Sequence, residues 1–302
     1  MNTPDEQSVG IGVALLCGVV LGSAVAVSRF AYDAGASAVV VALGRSVVMI
    51  TMLLIGLALT RQSLHLPREL RPLVVVNGVL MGVMTYGNIG AVEFIPVGLA
   101  ALLFFTFPIV IAVLVIALRI EHVTVAKLGA ILVAFTGLAL MLGVSVGEVD
   151  GRGTALALMG SFATAVNAIL VGRYFRSVNV FVVTLHFSIV TLVFLVMLAL
   201  FVVPVRLPET GTGWGGLLGV ALFQAVGTPL YFYAIAKVGA LKTAMAINIQ
   251  PVTSIVEAWI LFDEVLAALQ ALGGGLVLIA IGFMQWIDLR RKSDPGSDET
   301  AA

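Results

Sequence analysis

Charged residues are scarce in this sequence. Only 11% of the 302 residues are Asp, Glu, Lys or Arg, whereas 61% are hydrophobic. A soluble protein of ordinary composition carries about 25% charged residues, so this chain has too few to cover a water-facing surface. The formal net charge is zero, which gives no electrostatic reason to expect a nucleic-acid partner. The composition therefore predicts an integral membrane protein whose surroundings are the lipid bilayer.

Cysteine is almost absent as well. Cys17 is the single cysteine, so the chain can form neither an internal disulfide nor a cysteine-based metal site, and we interpret Cys17 as a small packing residue. We expect no metal and no cofactor. One G-x-S-x-G pattern occurs at 143–147, but Ser145 falls at the end of a predicted helix rather than at the strand-to-helix turn of a hydrolase nucleophile. An enzyme is therefore not predicted.

Long apolar runs are what the chain has instead. A transmembrane helix needs about 20 apolar residues, and the sequence predicts an all-α polytopic membrane protein with ten such spans. They are 9–28, 36–59, 72–92, 97–118, 124–145, 153–172, 180–203, 214–235, 240–262 and 266–287. The chain is then divided into an N-terminal cytoplasmic segment (1–8), a first five-helix repeat (9–146), a second (151–287) and a disordered cytoplasmic tail (288–302).

The distribution of basic residues predicts the orientation, because cytoplasmic loops collect Lys and Arg. With the N-terminus inside, twelve of the sixteen basic residues fall in inner loops or the tail, three fall in outer loops, and one lies within a span. The inner residues are Arg61, Arg68, Arg71, Arg119, Lys127, Arg173, Arg176, Lys237, Lys242, Arg290, Arg291 and Lys292. Both termini are predicted to be cytoplasmic, in the inner (plasma) membrane of a bacterium.

Two stretches of the sequence resemble each other. A proline interrupts an apolar run and a glutamate follows 13 residues later, first at Pro108 and Glu121 and again at Pro251 and Glu264. The copies are 143 residues apart, and a similar pair of stretches upstream is offset by 141. Each half holds five spans, and because five is odd, the second half must lie inverted in the membrane. Inverted repeats with a site near the bilayer midplane are typical of transporters.

This pattern resembles the drug/metabolite transporter superfamily, in particular its ten-helix EamA-type exporters. The resemblance covers about 9–287 and rests on the ten spans, the two halves and the proline-then-glutamate signature of spans 4 and 9. It implies a cavity lined mainly by spans 1, 3, 4, 6, 8 and 9, with spans 5 and 10 packing the halves together. It also implies that Pro108 and Pro251 interrupt helices, and that Glu121 and Glu264 are structural helix-end acids.

Polar residues within the spans are the candidates for a substrate site, since polar groups in a bilayer usually face a cavity or the bundle interior. In spans 8 and 9 three such residues recur at i, i+4 and i+7, on one helix face. The alternative is that these side chains only join helices through hydrogen bonds. The predicted substrate-binding residues are Gln250, Ser254 and Glu257 of span 9, Gln224, Thr228 and Tyr231 of span 8, and Asn88, Phe105 and Asn167 elsewhere.

Arg45 and Glu257 are the two fully charged side chains well inside the predicted spans. At 1.5 Å per residue, both lie roughly 10–13 Å from the outer ends of their helices. We hypothesise that they form a pair that gates the outer side. Small multidrug members of the superfamily use a glutamate in their first helix, but spans 1 and 6 contain no carboxylate. Proton coupling through Glu257 and uncoupled export both stay open.

The function predicted from the sequence is secondary transport. We expect export of small neutral or zwitterionic solutes such as amino acids, by alternating access between the inverted repeats. The alternatives are efflux of multiple drugs or toxic compounds, and a receptor or scaffold that transports nothing. The expected partners are a small-molecule substrate and lipid, and the expected oligomeric state is a monomer or weak homodimer.

Overall fold

The computed structural model describes residues 4–121, 123–143, 150–262 and 267–293. Within these ranges the chain forms helices and no β-strand, which confirms the all-α prediction. Nine helical segments there are long and apolar enough to cross a membrane, and the shorter apolar helix Val125–Met141 makes a tenth. The chain is therefore a multi-pass membrane protein. Glu264 and Ser145, which the sequence singles out, lie outside the described residues.

Twelve α-helices in the described ranges build the ten spans. They are α1 (Pro4–Asp33), α2 (Ala38–Leu59), α3 (Arg71–Gly90), α4 (Val97–Phe104), α5 (Phe107–Ala117), α6 (Val125–Met141), α7 (Gly151–Tyr174), α8 (Val180–Phe201), α9 (Gly211–Val238), α10 (Ala240–Ile247), α11 (Ile249–Phe262) and α12 (Ala268–Ser293). The 3₁₀ turns Arg68–Leu70 and Ala91–Glu93 flank α3.

Several helices extend beyond the apolar runs that predicted them. The helix predicted at 9–28 runs from Pro4 to Asp33, and α12 continues to Ser293, six residues into the segment expected to be a disordered tail. A helix satisfies its own backbone hydrogen bonds whether its side chains are apolar or polar. It can therefore continue into polar sequence where hydropathy alone places a boundary.

Spans 4 and 9 are each made of two short helices. The first break lies between Phe104 and Phe107 and the second at Asn248, and Pro108 and Pro251 follow them within the first turn of α5 and α11. Proline has no N–H to donate and its ring crowds the carbonyl one turn earlier, so it fits the first turn of a helix and disrupts the interior. Each proline thus stands where its span restarts.

Equivalent helices of the two halves make equivalent contacts. α1 packs along α9 as α7 packs along α3, and α6 packs against α12. At one point of contact, Thr106 and Ser161 lie 2.8 Å apart as a hydroxyl–hydroxyl hydrogen bond. Residues 143 positions away, Ile249 and Gly18, are also in contact. The same pair of positions therefore meets twice, each time across the contact between the halves, as expected for a duplicated unit.

The two halves also meet closely where α6 crosses α12. A Cβ atom added to Gly137 would lie 2.7 Å from the carbonyl oxygen of Gly273, and Gly273 in turn contacts the backbone of Gly137. Only glycine allows two helix backbones to approach so closely. This crossing holds spans 5 and 10 together, the packing role that the resemblance implies for them.

Candidate functional site

A cavity of about 860 Å³ lies between the two halves, within the described part of the chain. Its lining comes from eight helices: α1, α2, α3, α4, α6, α9, α11 and α12. The lining extends from Leu21, Phe105 and Gln250 in the middle of the bundle to Tyr32 and Phe262 near the helix ends. We call the membrane side where α1 ends at Asp33 the cavity side, and the side where α1 begins and α12 ends the terminal side.

Helices of the second half pack together on the terminal side more closely than their equivalents in the first half do on the cavity side. Where α7, α9 and α10 meet, α7 packs against both α9 and α10. The equivalent helices are α1, α3 and α4, and all three line the cavity. The symmetry of the repeats is therefore broken in this conformation, with packing at one end and a cavity at the other.

Four of the predicted polar residues line the cavity: Asn88, Gln224, Gln250 and Ser254. Nε2 of Gln224 donates to the Thr228 hydroxyl over 3.0 Å, which holds the amide against α9 and leaves its carbonyl oxygen available. The Ser254 hydroxyl donates to the carbonyl oxygen of Pro251 over 3.0 Å. Amide groups with unused donors or acceptors can therefore meet a ligand from three helices.

Of the other aromatic and amide residues predicted to bind substrate, one lines the cavity and two are buried away from it. Phe105 lines the cavity, 5.7 Å from Phe104 between ring centres. Tyr231 is buried against Phe232 in the apolar core, and its hydroxyl has no hydrogen-bond partner. Asn167 is fully buried and donates to the side-chain oxygen of Asn77 over 3.1 Å. Neither Tyr231 nor Asn167 reaches the cavity in this conformation, and the bond from Asn167 joins α7 to α3.

Arg45 and Glu257 do not form an ion pair in the described conformation. Arg45 lines the cavity, whereas Glu257 faces α1 and accepts a hydrogen bond of 2.5 Å from the Ser23 hydroxyl. Glu257 lies one helical turn beyond Ser254, just outside the lining. The predicted pair is thus absent here, and gating by it stays a prediction about another conformation.

The electrostatic character of the cavity is positive. Its only charged lining residues among those described are Arg29 and Arg45, and no described carboxylate lines it. Arg29 is engaged, since Nε lies 3.7 Å from the carboxylate of Asp33 and the guanidinium carbon lies 4.6 Å from the ring centre of Phe262. In surroundings of low dielectric constant, a guanidinium attracts an anionic group more strongly than it does in water.

The lining residues that the sequence predictions missed include Arg29, Tyr32 and Phe262 at the cavity side. Each lies near the end of a helix, where polar and aromatic residues are common at a membrane interface, so none stood out. One signal was available, since the resemblance implies that spans 1 and 9 line the same cavity and could lie side by side. That adjacency brings Arg29 over the Phe262 ring in a cation–π contact.

The prolines and glutamates of the repeated pattern have mainly structural roles. Pro251 lines the cavity, and Pro108 is buried. Glu121 lies 3.5 Å from Nζ of Lys127, which is nearly fully buried at the start of α6, so this acid balances a cation at a helix end. In the described ranges no group of three or more His, Cys, Asp or Glu side chains could hold a metal ion.

Comparison with known proteins relates the second half of the chain to a family of transporters. Residues 151–286 match the EamA-like transporter family. A solved crystal structure of another protein superimposes on 91% of this chain and 98% of its own with a TM-score of 0.77, at 17% sequence identity, and so shares the fold. A search of curated proteins found no sequence match.

Proposed function

We propose that this chain is an EamA-type protein of the drug/metabolite transporter superfamily and that it exports small solutes that combine a carboxylate with an apolar or aromatic body. Amino acids with large apolar side chains and related acids are the expected substrates. The observation that carries the proposal is the composition of the cavity wall. Amides of three helices, the Arg45 guanidinium and the Phe105 ring face one space of about 860 Å³, the size of a small-molecule site.

Alternating access is supported by the broken symmetry of the contacts. The helix pairs packed on the terminal side have their repeat equivalents separated on the cavity side. Exchanging the two arrangements would close the cavity side and open the terminal side around the same residues, as in other inverted-repeat transporters. With the termini in the cytoplasm, as the excess of inner basic residues predicts, the described conformation faces outward.

Arg45 is the group that we assign to the substrate carboxylate. It lines the cavity, whereas the other lining cation, Arg29, contacts Asp33 and Phe262. A guanidinium suits the two oxygens of a carboxylate because its donors form a planar fork. A cationic drug would meet two arginines and no described carboxylate in this cavity, so the composition of the lining does not favour multidrug efflux.

The test is counterflow in proteoliposomes with three radiolabelled probes: L-phenylalanine, phenylacetate and the aromatic cation tetraphenylphosphonium. We expect flux of the two carboxylates and none of the cation. A hydrogen bond to a charged group contributes about 1.5–3 kcal/mol, so Arg45→Gln should lower kcat/KM for carboxylates roughly 10- to 150-fold. Arg206→Gln, in the exposed loop on the same side, should leave flux unchanged. Flux of the cation alone, or of no probe, would refute the proposed substrate class.

A further inference from the structure

A second cavity, of about 370 Å³, lies on the terminal side of the described part of the chain. The connection between α2 and α3, the first turns of α3 and the early part of α8 form its wall. Leu66 and Val74 are buried within that wall, whereas Leu64 and Val75 are 46% and 53% exposed. Exposed apolar side chains beside a membrane span meet the lipid tails, which are as apolar as they are. The cavity therefore borders the bilayer.

Arg71 is the charged residue of this cavity. It begins α3 and is exposed, and none of the ion pairs between described residues includes it. Glu69, two residues earlier, does not line the cavity. The guanidinium is thus available to an anion, and its planar fork of donors suits a phosphate group.

His186 supplies a hydrogen-bond acceptor to the same cavity. Its Nδ1 lies 2.8 Å from the carbonyl oxygen of Val182, and because a carbonyl only accepts, Nδ1 must carry the proton. In the neutral ring Nε2 is then an acceptor. A ligand that contacts both Arg71 and His186 needs an anionic group next to a hydrogen-bond donor such as a hydroxyl.

Neither Arg71 nor His186 is repeated in the other half of the fold. At the repeat offset of 143, His186 corresponds to Leu43, and at the upstream offset of 141, Arg71 corresponds to Thr212. The duplicated frame therefore does not require these two residues. Their side of the membrane is predicted to face the cytoplasm, where the leaflet carries anionic lipids that basic pockets between helices can bind.

We propose that this cavity binds the headgroup of an anionic phospholipid that carries a hydroxyl group, of which phosphatidylglycerol is the simplest case. Arg71 contacts the phosphate, His186 accepts a hydrogen bond from the headgroup hydroxyl, and the exposed Leu64 and Val75 contact the start of the acyl chains. A soluble phosphate would leave that apolar rim without a partner. Because α3 belongs to the first half and α8 to the second, and the two helices pack together, the bound lipid holds the halves together on the terminal side. The site does not depend on which solute the larger cavity carries.

Native mass spectrometry of the full chain in a neutral detergent, titrated with phosphatidylglycerol, phosphatidylmethanol, phosphatidylcholine or inorganic phosphate, tests the proposal. Phosphatidylmethanol has the charge of phosphatidylglycerol but no hydroxyl, so it should bind about fivefold more weakly, the effect of one neutral hydrogen bond. Phosphatidylcholine, whose cation would face Arg71, should bind more weakly still, and inorganic phosphate should not displace the lipid. Equal affinity for the three lipids would overturn the proposal. Displacement by phosphate would assign the site to a soluble anion and overturn it as well.

Two variants test the individual contacts. Arg71→Gln should raise the Kd for phosphatidylglycerol about tenfold, as for the loss of a hydrogen bond to a charged group. The control is Arg68→Gln, which removes an exposed arginine of the same connection that does not line the cavity and should leave the Kd unchanged. Equal losses would indicate a general basic surface and overturn the site. His186→Phe keeps a ring and removes the acceptor, so it should abolish the difference between phosphatidylglycerol and phosphatidylmethanol; a difference that survives would overturn the assignment of the hydroxyl to His186.

Discussion

Gly22 is the position at which a single added methyl group should test the contact between α1 and α11. A Cβ atom at residue 22 would lie 2.6 Å from the carbonyl oxygen of Gln250 and 2.7 Å from Cβ of Thr253. Ordinary van der Waals contact begins near 3.4 Å, so α1 would have to retreat by roughly 0.8 Å. The obstacle is backbone and cannot rotate away.

The expected cost of Gly22→Ala follows from this overlap. Overpacking of a close contact costs about 1–3 kcal/mol, and 1 kcal/mol changes Tm by roughly 2–4 °C in chains of around 200 residues. We therefore expect Tm to fall by about 2–10 °C in thermal unfolding of the detergent-solubilised protein. The displacement should also lengthen the neighbouring Ser23–Glu257 hydrogen bond.

Gly12 provides the matched control on the same helix. A Cβ atom there would meet nothing within 4 Å, and alanine in a helix interior is more favourable than glycine by about 0.5–1 kcal/mol. Gly12→Ala should therefore leave Tm unchanged or raise it slightly. Equal Tm values for the two variants would refute the close packing of α1 on α11.

Two further predictions concern the packing of α6 on α12 and the N-terminal cap of α7. Gly137→Ala should lower Tm by about 2–10 °C, because its Cβ would lie 2.7 Å from the Gly273 carbonyl oxygen. The control is Gly129→Ala on the same helix, where the added Cβ meets nothing within 4 Å and Tm should not fall. Equal Tm values for these two variants would contradict the α6–α12 crossing. Asp150 caps α7 through the amide of Arg152, and hydrogen bonds from the Arg152 side chain lower the pKa of its carboxyl group. A lowered folded-state pKa stabilises above the unfolded value and loses its effect as pH falls through the folded value. The protection of the amides at the start of α7 against hydrogen exchange, relative to the unfolded chain and followed by mass spectrometry, should therefore fall only in acid, and Asp150→Asn should remove that dependence.

Much of the fold was predictable because the bilayer imposes a simple rule. Each span needs enough apolar residues to cross it, so ten apolar runs gave ten helical spans, and an odd number of spans per half required inversion. Hydropathy does not determine where a helix ends in polar sequence, which is why α1 and α12 are longer than expected. It also does not show that spans 4 and 9 are broken, although Pro108 and Pro251 lie next to the breaks.

The candidate site was less predictable, because a helical face identifies which residues point the same way but not what they point at. Gln250 and Ser254 share a stripe with Glu257, yet the first two line the cavity and Glu257 faces Ser23. Asn167 is also a polar residue within a span and was an equally good candidate for the cavity lining, but it is hydrogen-bonded to Asn77 instead. Which neighbouring helix covers each part of a helix face depends on contacts between residues that are far apart in the sequence. A single sequence does not show those contacts.

The polar residues of α11 are replaced by apolar ones in the equivalent helix of the first half. At the repeat offset of 143, Ser254 and Glu257 of α11 correspond to Ile111 and Leu114 of α5, and Ile111 is fully buried in the core. If the conformations exchange, α5 takes the place that α11 now occupies, and it would present Ile111 and Leu114 there. A carboxylate-bearing solute would then meet a different set of partners, since Arg45 and Asn88 lie in the first half and Gln224, Gln250 and Ser254 in the second. We therefore expect the two conformations to bind it with unequal affinity, and a difference between the KM values measured from the two sides of the membrane follows directly from that asymmetry.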